Sequence, residues 1–169
     1  MTSPGDGHAA PRVLFVCLGN ICRSPTAEGV VRDLARAQGV ALHTDSAGTG
    51  DWHVGAAPDA RAIAEAGRRG HDIADLRARQ VAVADFERFD LILAMDAANL
   101  RDLQALRPTD STTPVRLFME YADQPDTDVP DPYIAGGFDR AFDMIARAAH
   151  GLIDRLHQQS PIPPSKPAR

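Results

Sequence analysis

One lysine, two cysteines, one tryptophan and two tyrosines are all that 169 residues contain of these types, and no apolar run is long enough to span a bilayer. Two cysteines cannot build a disulfide framework and fit a reducing compartment. The missing apolar run excludes a membrane-spanning helix. No positively charged start leads into an apolar stretch, so no secretory signal is visible and a cytoplasmic location is expected, signal-independent export aside. A net charge of -5, with 17 Arg and the single Lys166, leaves no general footprint for nucleic acid. Neither Gly-Lys-Ser nor Gly-Lys-Thr occurs, so a nucleotide-type phosphate loop is absent. No His/Asp cluster has metal-ligand spacing, and neither metal nor cofactor is expected.

What the chain does contain is concentrated in Cys17-Leu18-Gly19-Asn20-Ile21-Cys22-Arg23-Ser24-Pro25-Thr26-Ala27-Glu28. Val13–Val16, entered after Pro11, reads as a buried strand because it is short, apolar and partly β-branched. Ala27, Val30, Val31 and Leu34 then repeat at helical spacing, which predicts a helix from near Ser24. Pro25 suits its first turn, where a missing N–H costs nothing. A strand, a tight loop and a helix in that order turn backbone N–H groups and the positive helix end onto one point, a cup for a phosphate-like dianion. Gly19 and Asn20 tolerate the left-handed backbone that such a loop needs.

Cys17 falls at the bottom of that cup. Helix N-termini and neighbouring Arg lower a thiol pKa, so a reactive thiolate is expected. Arg23 can fold over the loop and hold two phosphate oxygens with its planar fork. Ser24 offers the sulfur a hydroxyl. The chemistry this implies is attack of sulfur on phosphorus, a phosphocysteine, and its hydrolysis.

A proton donor is still required. Asp123, Asp126, Asp128 and Asp131 crowd one loop among Pro125, Pro130 and Pro132, and Asp-Pro-Tyr singles out Asp131: Pro132 stiffens the backbone and Tyr133 can wall a pocket. Asp96 reads as the cap of a helix starting at Ala97. His71 reads as a surface or helix-end residue. Trp52, in a polar Gly-flanked loop with Asp51 and His53, reads from residues alone as core.

Apolar segments at 13–16, 40–44, 89–94 and 115–118 alternate with helical patterns at about 24–38, 58–69, 97–106 and 137–157. The expected fold is therefore α/β: one domain over residues 11–157, a parallel sheet of about four strands with helices on both faces, and the phosphate-binding loop after the first strand. Residues 1–10 and the Pro-rich 158–169 are expected to be mobile ends.

The chain resembles the low-molecular-weight protein tyrosine phosphatases. The string from Val13 to Glu28 matches the signature of that family, and Asp45-Ser46-Ala47-Gly48-Thr49, Trp52, Arg77-Ala78-Arg79-Gln80, Asp90–Asp96 and Asp131-Pro132-Tyr133 follow in family order, spanning residues 12–157. The resemblance implies hydrolysis of phosphotyrosine in protein substrates. Cys17 is then the nucleophile, Arg23 the phosphate fork and Asp131 the general acid. Leu18, Gly19, Asn20, Ile21, Cys22 and Ser24 complete the loop, and Trp52 and Tyr133 form a pocket rim that admits a flat phosphoaryl group and leaves phosphoserine too short. It also implies Cys22 as a reversible disulfide partner of Cys17, against a plain packing role. A monomer without membrane partners is expected. Two positions depart from many relatives. Leu76 stands where some carry a His that braces the loop, and Ile134 where many carry a second aromatic, so regulation through paired tyrosines is not expected.

A protein-arginine phosphatase of the same fold is the nearer alternative, but it resembles this loop with Thr in place of Ile21. An arsenate reductase needs redox cysteines beyond Cys17 and Cys22, which this chain lacks.

Overall fold

The computed structural model describes residues 9–125 and 127–158. Asp126, most of the 1–10 segment and all of the 158–169 tail after Gln158 lie outside the described residues.

The elements are β1 (Arg12–Cys17), α1 (Arg23–Gln38), β2 (His43–Gly48), α2 (Ala60–Arg68), α3 (Asp85–Arg88), β3 (Leu91–Ala94), α4 (Ala97–Leu106), β4 (Val115–Leu117), a 3-10 turn (Phe118–Ala122), α5 (Pro132–Ala135) and α6 (Phe138–Gln158). All strand pairs are parallel, in the order β2-β1-β3-β4. β1 and β3 are the inner strands, and both faces of them are covered. Val13, Phe15, Leu91 and Leu93 pack with α1 and α6, whereas Leu14, Val16, Ile92 and Ala94 pack with Phe86 of α3 and Leu103 of α4. Burial on both faces is why these strands read as unbroken apolar runs.

Helix boundaries follow local signals. α1 stops at Gly39, whose left-handed φ of 70° suits a residue without Cβ. The carboxylates of Asp59 and Asp96 cap α2 and α4 by accepting from the N–H groups of Arg61 and Asn99. In α6, Phe142, Ile145, Ala149, Leu152 and Leu156 form the stripe laid against the core.

The expectation of a strand at 40–44 is corrected to β2 at 43–48. Val40 and Leu42 pack against the core before the strand begins, and His43-Thr44-Asp45-Ser46 become a strand through their register with Arg12–Phe15, not through hydrophobicity. As an edge strand, β2 tolerates polar side chains that an inner strand would not. The helix expected at 58–69 is shorter because Asp59 is its cap. The one-turn helices α3 and α5 have no counterpart in the pattern.

Candidate active site

β1 delivers Cys17 to the carboxyl end of the sheet, where ligands of open α/β folds bind, and residues 18–22 turn tightly into α1. The N-terminus of α1 has no side-chain cap and no acidic residue in its first turn. Its positive end is thus left for an anion.

Asn20 takes the left-handed backbone, φ 58°. Gly19 does not, correcting the expectation for that residue: among the described residues it is not one of the positive-φ glycines. What it supplies is space, since a Cβ there would lie 3.0 Å from Cδ2 of His53.

Cys17 is 3% exposed, and its sulfur lies 3.0 Å from Oγ of Ser24 and accepts the N–H of Asn20 at 3.3 Å. Asn20 and Ser24 put their side chains behind the sulfur instead of into the cup. Nδ2 of Asn20 donates to Oγ of Ser24 at 2.8 Å and to Oγ of Ser46 at 2.9 Å. Oδ1 of Asn20 accepts the N–H of Arg79 at 2.9 Å.

Arg23 is buried at 3% exposure. Its Nη1 donates to Oδ2 of Asp96 at 2.6 Å and to the carbonyl of Val129 at 2.9 Å, and its Nη2 lies 3.4 Å from Oδ2 of Asp131. Burial works against the guanidinium charge, but Cys17, Asp96 and Asp131 outweigh it and hold the pKa of Arg23 above the ordinary Arg value. Asp131 caps α5, accepting the N–H of Tyr133 at 3.1 Å, with its side chain 42% exposed at the cup mouth. Of the other acids in that loop, Asp128 accepts the N–H of Ala97 at 3.0 Å, turned to the start of α4.

A cavity of about 120 Å³ joins these groups. Cys17, Leu18, Gly19, Ile21, Cys22 and Arg23 line it below, and Trp52, His53, Asp131 and Tyr133 above. Trp52 is 70% exposed and Tyr133 44%. The core reading of Trp52 is thereby corrected: its ring stands on the rim, because loop 49–55 leaves β2 at the cup edge. Ile134, beside Tyr133, is fully open to solvent.

Cys22 is a buried free thiol, as is Cys17. Burial, and after it the negative groups Asp59, Cys17 and Asp131, push the Cys22 pKa up to about 12 against the smaller pull of Arg61. Cys22 therefore stays protonated and adds no second charge beside a bound anion. His71 lies away from the cavity. Its Nδ1 is 2.8 Å from Oδ2 of Asp33 and its N–H bonds the carbonyl of Ala66 past the end of α2. Leu76 packs against the core and offers the loop no polar group. Among the described residues no cluster of three His, Cys, Asp or Glu is placed to hold a metal ion, and no helix is long and apolar enough to cross a membrane.

Three participants escaped the sequence reading. Asp96 was legible as a cap, but its second oxygen engages Arg23. Ser46 stood inside a recognised segment with no role attached. Arg61 braces the rim, bonding the Tyr133 carbonyl at 3.0 Å and lying over the rings of Tyr133 and Phe138, while Asp59 pairs with it and donates its own N–H to the carbonyl of Ile21.

The sequence pattern of the low molecular weight phosphotyrosine protein phosphatase family matches residues 12–161. The low molecular weight protein-tyrosine-phosphatase YfkJ of Bacillus subtilis is 38% identical over 153 residues, 89% of this chain and 98% of that protein. Its crystal structure superposes with a TM-score of 0.86, covering 91% of this chain and 99% of the other at 37% identity. A low molecular weight protein-tyrosine-phosphatase of Streptomyces coelicolor is 42% identical over 156 residues, 88% of this chain and 94% of the relative. The crystal structure of DARP, a drosophila arginine phosphatase, gives a TM-score of 0.81 at 33% identity, covering 89% of this chain and 99% of the other.

Proposed function

Because the chain belongs to the low molecular weight phosphotyrosine protein phosphatase family, we propose that it hydrolyses phosphotyrosine in protein substrates through a phosphocysteine formed on Cys17. The observation that carries this reading is the meeting of a buried sulfur, a buried guanidinium and a solvent-facing carboxyl around one cavity, with two aromatic rings above it.

The steps follow from that arrangement. The phosphate dianion enters the loop at the start of α1, and Arg23 holds its oxygens. The Cys17 sulfur attacks phosphorus in line, forming the S–P bond as the P–O bond to the tyrosyl oxygen breaks, and Asp131 gives that oxygen its proton. The Asp131 carboxylate then takes a proton from water as the water oxygen attacks phosphorus. Phosphate leaves, and the Ser24 hydroxyl steadies the departing sulfur. Trp52 and Tyr133 select a flat aryl ester long enough to reach the buried sulfur.

A phosphoarginine reading is kept for one observation, the likeness to the drosophila arginine phosphatase. Against it, apolar Ile21 lines the cavity floor and gives a phosphoguanidinium nothing to bond. Two cysteines in the whole sequence fit a reducing compartment, so work in the cytoplasm is part of this reading, with Cys22 as redox partner of Cys17. Turnover of phosphotyrosine, phosphoserine and phosphoarginine peptides without added metal separates these readings: rapid release from phosphotyrosine alone is expected, and release from phosphoarginine alone overturns the assignment.

A further inference from the structure

Behind the sulfur runs a hydrogen-bond path that this chemistry does not consume. Glu28 lies on the buried face of α1, 9% exposed, and its Oε1 accepts the hydroxyl of Ser46 at 2.7 Å. Oγ of Ser46 accepts from Nδ2 of Asn20, the same nitrogen donates to Oγ of Ser24, and Ser24 touches Sγ of Cys17. A carboxyl on α1 is thus three side chains from the nucleophile.

Donor arithmetic fixes the direction of the bonds from Asn20 to the two serines and from Ser46 to Glu28, and the bond between Ser24 and Cys17 then follows the charge on the sulfur. An amide nitrogen only donates and an amide oxygen only accepts. The Arg79 N–H marks the oxygen of Asn20, so both Nδ2 protons point into the two serine oxygens. Ser46 must then spend its own proton on Glu28, and Ser24 has one proton to place, on the sulfur at 3.0 Å or on the Ala47 carbonyl at 3.4 Å; an anionic sulfur is the stronger acceptor of the two. An ionised Glu28 closes this arrangement, because a carboxylate is acceptor only. A protonated Glu28 competes with it: a proton carried on Oε1 meets the Ser46 oxygen 2.7 Å away, and the Ser46 proton then loses that acceptor.

We propose that Glu28 is a positioning residue for the nucleophile: its carboxylate, through Ser46 and Asn20, keeps the Ser24 hydroxyl aimed at Cys17, and taking up a proton on Glu28 slackens that bond and slows turnover. The inference rests on the reading of Cys17 as nucleophile. The charged groups facing Glu28 are Asp45 of β2, Arg32 one turn on along α1 and Arg79 of the segment between α2 and α3. Both arginines are engaged elsewhere, Arg32 with Asp33 and Arg79 with Asp45 and Asp85. Burial, aided by Asp45, outweighs the Ser46 bond and the two arginines and pushes the Glu28 carboxyl up to about 7. The switch therefore falls where a cell can move it.

The test compares the full chain with Glu28→Gln, Ser46→Ala and the double variant, reading kcat on p-nitrophenyl phosphate from about pH 5 to 8.5. The ratio of wild-type to Glu28→Gln kcat is expected near one at the acid end and roughly tenfold at the alkaline end, the worth of one charge-assisted hydrogen bond. KM should stay unchanged, and the rise should vanish in the Ser46→Ala background. A ratio that is flat with pH, or a rise that survives Ser46→Ala, overturns the proposal. A second reading needs neither variant nor turnover: the Asn20 side-chain NH2 resonances of the wild type should shift with the same midpoint, and resonances that stay fixed also overturn it. If they shift while no phosphotyrosine is hydrolysed, the coupling stands and the phosphatase reading falls.

Discussion

Oδ2 of Asp96 lies 2.6 Å from Nη1 of Arg23, while Oδ1 of the same carboxylate caps α4 by accepting the N–H of Asn99 at 2.7 Å. One side chain therefore ties the Arg23 guanidinium to the end of β3. With the Val129 carbonyl on the same nitrogen, it leaves Nη2 turned toward Asp131 and the cup.

Asp96→Asn keeps one accepting oxygen, enough for the cap, but removes the charge and the second acceptor that Arg23 uses. Melting temperature should fall, because the buried Arg23 loses the charge beside it and an amide NH2 takes the place of one of two accepting oxygens, and kcat/KM for phosphotyrosine should fall roughly ten- to a hundredfold, the loss of a hydrogen bond between charged groups. Steady-state kinetics beside a thermal melt checks this. An unchanged kcat/KM would remove Asp96 from the positioning of Arg23.

Asp131→Ala should lower kcat on phosphotyrosine by about a hundredfold or more, as loss of a general acid does, and much less on esters whose leaving group needs no proton. Equal losses on both would move the acid elsewhere. Asp128, held at Ala97 in this structure, is the next residue to test.

Mild peroxide should inactivate the enzyme, and thiol reductant should restore it, through a Cys17–Cys22 bond that traps the sulfenic acid. Because Cys22 is held protonated, closure should be slow at neutral pH and quicken as pH rises. Cys22→Ser should retain most turnover and resist rescue. Sulfinic acid on Cys17 beside an untouched Cys22, seen by peptide mass spectrometry, would make Cys22 a packing residue.

Glu28 also leaves a signature in stability. Its carboxyl titrates near 7 in the fold and at the ordinary 4.5 in the open chain, so over that window the folded state binds more protons and wild-type stability falls as pH rises. Glu28→Gln removes this cost. The Tm of the variant should gain on wild type between those two pH values, by an amount on the order of 3 kcal/mol in stability. A Tm difference that does not change with pH contradicts the assignment.

How much of this was legible follows the range of each interaction. β1, the loop and α1 are written in consecutive residues: an apolar run, an Asn that accepts left-handed backbone, a Pro in the first helical turn. The partners of that loop are not. Asp96 is 73 positions from Arg23, and Ser46 is 26 from Asn20. Nothing local distinguishes a capping carboxylate from one that caps and also grips an arginine. β2 was misplaced because His43–Ser46 owe their strand to pairing with β1. Trp52 looked like core because a lone Trp usually is; its exposure comes from the course of loop 49–55 past the cup, which no residue in that loop encodes alone.

The most direct test of the central claim is rapid acid quench of the wild-type protein during turnover of a phosphotyrosine peptide, followed by mass spectrometry of the loop peptide. A phosphoryl group on Cys17, absent in Cys17→Ser, which should bind phosphate analogues without turning over, is the expected result. Continued release of phosphate by Cys17→Ser, with no modified Cys17 peptide in the wild type, would contradict the account.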